Sequence, residues 1–138
     1  MKLTVKKDKL QKALGKVTNI IGSKSTLPVL GNVLFEAKNG ILTLTTTDLE
    51  LRITTSVDAV IEREGTTTIP AKKISMLVSK FIDENVLLDC NEKHPTDIVC
   101  GTAKFKLLGL SPEDFPPPVD FAPIKQLKFK EIDFNRIL

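Results

Sequence analysis

Two short stretches of this chain repeat apolar residues at helical spacing, and nearly everything between and after them alternates as strand. The first stripe is Leu10, Ala13, Leu14, Val17, Ile20 and Ile21; the second is Ile74, Leu77, Val78 and Phe81. Each gives a helix one apolar face. Lys9, Lys12, Lys16 and Asn19 fall on the opposite face of the first helix, and Lys72, Lys73, Ser75, Ser79 and Lys80 on that of the second. Two lone helices cannot enclose a core, so they must cover sheets, which makes the fold class α+β with antiparallel strands. If the helices lie side by side on one surface, their lysines form a single positive floor.

The strand pattern supports this. Residues 2–6 alternate. Residues 32–38 and 41–46 flank Asn39-Gly40, a dipeptide that favours a tight hairpin because both turn positions need positive φ. Residues 47–56 read as a strand with Leu49, Leu51 and Ile53 on one face, and residues 57–61 continue it. Residues 62–65 read as a turn, and 66–69 as a short strand. Pro70 suits a helix start, where a missing N–H costs nothing. Residues 85–91 and 96–101 form a hairpin, and 103–108 a last strand. Five prolines between residues 111 and 123 read as an extended linker. This divides the chain into a domain over residues 1–120 and a remainder over 121–138.

The remainder resembles a restart. Residues 3–14 align without a gap on 127–138, with Leu3, Lys6 and Leu14 recurring as Leu127, Lys130 and Leu138. Either a second structural unit begins there, or two strand-to-helix starts share a common pattern.

Composition narrows the functional classes. A hydrophobic fraction of 41% with 27% charged residues fits a soluble globular chain. No apolar run approaches the roughly 20 residues that span a bilayer, and no secretory signal follows the N-terminal lysines. Cys90 and Cys100 fit free thiols in a reducing cytoplasm. They would face each other only if the hairpin register allowed it.

The net charge of +3 is uneven. Residues 1–24 hold seven lysines against Asp8 alone, whereas residues 25–120 hold nine basic and fourteen acidic side chains. Positive charge gathered on one part of an acidic body suggests a local anionic partner.

Catalysis finds little support. The single histidine, His94, sits in a hairpin turn before Pro95 and reads as solvated. Asp48 and Glu50 read as edge carboxylates balancing Arg52. No metal-ligand spacing and no glycine-rich phosphate loop is present, so no metal or cofactor is expected. Without tryptophan or tyrosine, a base-stacking platform would rest on phenylalanine alone. The helix lysines, with few acids one turn away, suit phosphate contact without base reading. The residues leave open a part of a larger assembly that meets an anionic partner, a free-standing basic DNA-binding module, or a small enzyme with an unrecognised site.

Four segments carry a resemblance. Thr26-Leu-Pro-Val-Leu-Gly-Asn32, Leu42-Thr-Leu-Thr-Thr-Thr-Asp-Leu-Glu50, Thr68-Ile-Pro-Ala-Lys-Lys73 and Phe105-Lys-Leu-Leu-Gly-Leu-Ser-Pro-Glu-Asp-Phe-Pro116 resemble, in order and spacing, the first domain of the bacterial sliding clamp family, the beta subunit of DNA polymerase III. The resemblance implies a β–α–β unit used twice. It implies a homodimeric ring around duplex DNA that confers processivity, without enzymatic activity. Lys24 takes the place of a DNA-facing basic residue, and Lys72 and Lys73 match a basic pair; Lys9, Lys12 and Lys16 lie behind them. Lys73, Lys104, Phe105 and Leu107 fall at the edge that meets the second clamp subunit. The sites for the polymerase and the clamp loader would lie in domains beyond residue 138.

Overall fold

The computed structural model describes residues 1–21, 28–91 and 93–117. Lys24 and the whole of 121–138, including the restart at Leu127–Leu138, lie outside them.

Nine strands and two helices form two sheets with the helices against them. The order is β1 (Lys2–Lys6), α1 (Lys7–Val17), β2 (Asn32–Lys38), β3 (Ile41–Thr47), β4 (Arg52–Asp58), β5 (Val60–Arg63), β6 (Gly65–Pro70), α2 (Ala71–Lys80), β7 (Asn85–Cys90), β8 (Pro95–Cys100) and β9 (Ala103–Leu108). One sheet runs β5-β1-β7-β8-β9 and the other β4-β3-β2-β6. The expected β–α–β unit occurs twice, as β1-α1-β2-β3-β4 and as β6-α2-β7-β8-β9. Each unit places its first strand in the other unit's sheet: β1 pairs with β7, and β6 with β2.

This exchange builds the core. Leu3 faces Leu88 and Val5 faces Val86 across one pairing; Val33 faces Ile69 across the other. All are buried, together with Leu10, Ala13, Leu14 and Val17 of α1 and Ile74 and Val78 of α2. Each large apolar side chain among them stabilises the fold by about 1.5–3 kcal/mol through area removed from water. The helices also touch each other. The first helical stripe is read correctly as far as Val17. Beyond it the chain tightens into a 3₁₀ turn over Thr18–Ile20, where the Thr18 hydroxyl donates to the Leu14 carbonyl (2.7 Å) and its N–H closes on the same oxygen.

Three strand expectations need correction. Residues 48–51 are a turn, not strand. Asp48 accepts the N–H groups of Glu50 and Leu51 at 3.0 and 2.7 Å, and Thr47 Oγ1 accepts that of Leu49. Leu49 takes a φ of +83°. Local side-chain acceptors thus outcompete the ladder that apolar alternation suggested. Residues 62–65 are not all turn, since β5 continues to Arg63. The chain instead changes sheet at Ala59, between β4 and β5, where the Ala59 N–H donates to the Gly40 carbonyl at 3.0 Å. Asn39 and Gly40 have φ of +55° and +77°, as the hairpin expectation requires.

The start of the proline-rich segment is also more ordered than a linker. Pro112–Asp114 form a 3₁₀ turn, and Phe115 is buried with Val29 and Leu34 in a small cluster separate from the main core.

Between β9 and that turn, Gly109 and Leu110 join the two sheets. The Gly109 N–H donates to the His94 carbonyl at 3.0 Å. The Leu110 N–H donates to Thr68 Oγ1 at 2.9 Å, and that hydroxyl donates to the Leu110 carbonyl at 2.7 Å. A Cβ at position 109 would overlap the Thr68 carbonyl oxygen. Gly109→Ala should therefore destabilise the domain by about 1–3 kcal/mol, since a backbone oxygen cannot swing aside. Urea unfolding checks this; an unchanged midpoint would mean the junction yields freely.

Candidate nucleic-acid interface

Lys9, Lys12 and Lys16 are exposed on α1, and Lys72, Lys73 and Lys80 on α2. The buried stripes fix this arrangement, because turning the Leu10–Val17 and Ile74–Val78 faces inward leaves the lysines outward. As the two helices pack together, their lysines lie on neighbouring elements of one layer, as the sequence suggested.

Among the described residues, five cations are in ion pairs, and Lys38, Arg52 and Lys104 on strands are not. Lys2 pairs with Glu62 (3.5 Å), Lys6 with Glu84 (2.8 Å), Lys7 with Asp8 (3.9 Å), Arg63 with Asp89 (3.0 Å) and Lys106 with Asp97 (2.7 Å). Four of these five cations belong to strands. Among the described residues, Lys9, Lys12, Lys16, Lys72, Lys73 and Lys80 are in no ion pair. Glu84 shows what pairing does: the hydrogen bond from Lys6 holds its carboxyl below the usual range.

α2 adds a further anomaly. A helix N-terminus carries partial positive charge, so cations there are disfavoured, by about 0.3–1 kcal/mol each. Yet Lys72 and Lys73 occupy the first turn of α2, with no acidic residue beside them and no side-chain cap at Pro70. The first turn of α1 differs in that Asp8 stands between Lys7 and Lys9; Lys16 lies in its last turn.

The subunit-edge residues also have defined places. β9 is the outer strand of its sheet. Phe105 is 39% exposed, and its ring lies 5.9 Å from that of Phe81, just after α2. Lys104 is exposed on the other face of the strand, while Leu107 is half-buried against the core. Lys73 lies on α2 and not on the strand.

Other candidates resolve into structural roles. His94 is not simply solvated: it has a φ of +71°, and its Nδ1 lies 2.9 Å from the Thr67 hydroxyl. Arg52 is not balanced by Asp48 and Glu50. It donates to the Pro116 carbonyl at 2.8 Å, and its guanidinium lies 5.6 Å from the centre of the Phe115 ring. The aromatic at 115 was the available signal, masked by the surrounding prolines. Cys90 and Cys100 are buried free thiols at opposite ends of the β7–β8 hairpin, Cys90 facing Thr96 and Cys100 facing Ala103. The hairpin register therefore keeps them apart.

A cleft of about 890 Å³ lies between Met1, Arg63, Gly65, Cys90 and His94. Burial and the neighbouring Arg63 lower the affinity of the Met1 amine for its proton. Arg63 and His94 are held by Asp89 and Thr67, and Glu64 accepts the Asn39 N–H at 2.9 Å. Among the described residues no three side chains converge as metal ligands, and no helix is long and apolar enough to cross a membrane.

Layered sheets around two lysine-bearing helices define the chain as a domain of the DNA-clamp class. Residues 1–120 match the family described as DNA polymerase III beta subunit, N-terminal domain, and the chain belongs to that family. It is 36% identical over 124 residues to the beta sliding clamp of Synechocystis, a match that covers 84% of this chain and 32% of that protein. It is 31% identical over 139 residues to that of Escherichia coli, covering all of this chain and 38% of that protein. The sliding clamp structure from Caulobacter crescentus superposes with a TM-score of 0.84 at 32% identity, over 88% of this chain and 34% of that one. The chain thus spans about a third of the length of these relatives.

The Asp48 turn gives a pH expectation. Hydrogen bonds from the Leu51 and Glu50 N–H groups hold the Asp48 carboxyl below its ordinary value. An acid whose folded pKa is depressed contributes stability that is complete above the unfolded value and is lost as pH falls through the folded one. The 48–51 turn should therefore hold through mild acid and loosen only below the ordinary aspartate range. In an NMR titration, the Glu50 and Leu51 amide shifts should move with the Asp48 carboxyl. Asp48→Asn should abolish that transition; if it persists, another group drives it.

Proposed function

We propose that this chain is the first domain of a ring-shaped sliding clamp. In this reading the ring encircles duplex DNA and holds the replicative polymerase on its template, without itself being an enzyme. The observation that supports it best is the set of exposed lysines on the two packed helices that are in no ion pair among the described residues. Lys72 and Lys73 sit where they oppose their own helix dipole. A position that costs folding stability is explained if an anion faces it.

A sliding ring needs attraction that averages out along the duplex. Lysines at helical spacing supply it, because each meets phosphates through water at any register and none reads a base edge. Lys9, Lys12, Lys16, Lys72 and Lys73 are the residues assigned to this contact, with Lys24 added on the family resemblance alone. Lys73, Lys104, Phe105 and Leu107 are assigned to the edge that meets the second subunit. There Phe105 supplies apolar area and the β9 backbone continues a sheet. The polymerase and the clamp loader would bind parts of the full subunit that are not in this chain. Action on bacterial DNA implies a cytoplasmic protein. A free-standing DNA-binding module is the less favoured reading, since one lysine-bearing layer meets few phosphates at once.

Binding of this chain to short linear duplexes tests the reading by fluorescence anisotropy across a salt series. Affinity should be weak, about 10⁻⁴ M or weaker at physiological salt, and independent of base sequence. Lys72→Glu and Lys73→Glu should move two quantities in opposite directions. Thermal stability should rise, by up to about 1 kcal/mol each as the dipole is satisfied. Duplex binding should fall, with a salt slope shallower by about 0.9 for each phosphate no longer neutralised. Tight binding of linear duplex would favour the free-standing module. A sequence-dependent fall, or no fall at all, would remove these lysines from the DNA face.

A further inference from the structure

An asparagine followed by glycine loses its side-chain amide more easily than any other, because no side chain shields the next backbone nitrogen. Asn39-Gly40 is the one such pair in the sequence; every other asparagine is followed by isoleucine, valine, glutamate or arginine. Asn39 and Gly40 are both exposed, at the tip between β2 and β3. Water therefore reaches the one asparagine whose neighbour leaves it open to attack.

The chemistry makes a geometric demand. The Gly40 nitrogen attacks Cγ of Asn39 and gives up its proton, closing a cyclic imide. The side-chain nitrogen takes up a proton and leaves as ammonia. Water then opens the ring at either carbonyl, giving aspartate or an isoaspartate whose main chain is one carbon longer. Ring closure requires the Gly40 nitrogen to lie beside the Asn39 side chain, and the turn holds it elsewhere. Positive φ at both positions, +55° and +77°, is that of a type I′ turn. In such a turn ψ at the first position is about +30°, which swings the next nitrogen away from Cβ. The asparagine can react only while the turn is open.

Two hydrogen bonds from outside the hairpin keep it shut. Glu64 Oε2 accepts the Asn39 N–H at 2.9 Å. The Gly40 carbonyl accepts the Ala59 N–H at 3.0 Å. They fix the peptide units on either side of the one that must rotate. Gly65 pairs with Ala37, which sets Glu64, just before β6, level with the tip. The Ala59 bond is backbone to backbone; Glu64 is the side chain on which closure depends.

We propose that Asn39 is a deamidation site and that Glu64 guards it. The guard fails once the reaction has occurred. Isoaspartate lengthens the chain between the two held units, so the tip cannot keep both bonds unchanged. Either product also sets a new carboxylate beside Glu64, and like charges oppose reclosure. The lasting effect is a hairpin tip loosened where the chain passes from β4 to β5. The proposal is independent of the DNA reading.

Incubation of the 138-residue chain in mildly alkaline buffer, followed by peptide mapping with mass spectrometry, tests this. A short peptide of residues 35–44 gives the rate for an open chain. With each bond contributing about tenfold, the folded wild type should deamidate about a hundredfold more slowly than the peptide, and Glu64→Ala should recover about tenfold. Glu64→Gln, whose amide oxygen still accepts, should fall between wild type and Glu64→Ala. Glu64 is exposed, so the urea midpoint should stay at the wild-type value in both variants. Equal rates in the folded chain and the peptide overturn the proposal. So does a Glu64→Ala rate at or below that of the wild type. A rate that rises only in step with a fallen midpoint also overturns it, since global unfolding would then open the site.

Discussion

The exchange of first strands between the two β–α–β units is the constraint on which the rest depends. β1 leaves its own unit to pair with β7, and β6 leaves its own to pair with β2. Neither unit can complete a sheet alone. Each helix must therefore run from one sheet to the other: α1 connects β1 to β2, and α2 connects β6 to β7. That crossing turns their apolar stripes into the shared core. Their lysines face outward as a consequence of packing, whatever partner they meet.

Much of this was legible in sequence because it rests on period. The stripes at Leu10–Val17 and Ile74–Val78 gave both helices, and Asn39-Gly40 gave a hairpin whose two positive φ values the structure contains. The bounds of β2 and β9 are those the alternation indicated. What was not legible depends on interactions that leave no period. The 48–51 turn is stabilised by Asp48 and Thr47 acting on backbone N–H groups, against an alternation of Leu49, Leu51 and Ile53 that pointed to strand. The switch of sheets at Ala59 coincides with a hydrogen bond to Gly40, far earlier in the chain. Phe115 is buried because Val29, Leu34 and Arg52 meet it, and no local pattern among five prolines could announce that.

The lysines of the candidate site were visible as residues, but their significance was not. Sequence showed few acids one turn away from them, Asp8 before Lys12 and Glu84 after Lys80. The three-dimensional arrangement adds that Glu62, Glu84, Asp89 and Asp97 pair with Lys2, Lys6, Arg63 and Lys106. Among the described residues, Lys9, Lys12, Lys16, Lys72, Lys73 and Lys80 are thus in no ion pair. Stability alone would favour acids in the first turn of α2, so Lys72 and Lys73 stand as a local conflict between folding and another demand. Such conflicts are expected at functional positions.

The passage from β4 to β5 at Ala59 has a mechanical consequence. A single run of backbone, residues 52–63, is laced into one sheet by its first half and into the other by its second. The sheets cannot slide past each other without tearing one of these ladders, and an edge cannot fray far before the strain reaches the opposite layer. Opening is therefore shared across the domain rather than confined to one layer, and the two sheets unfold as one cooperative unit.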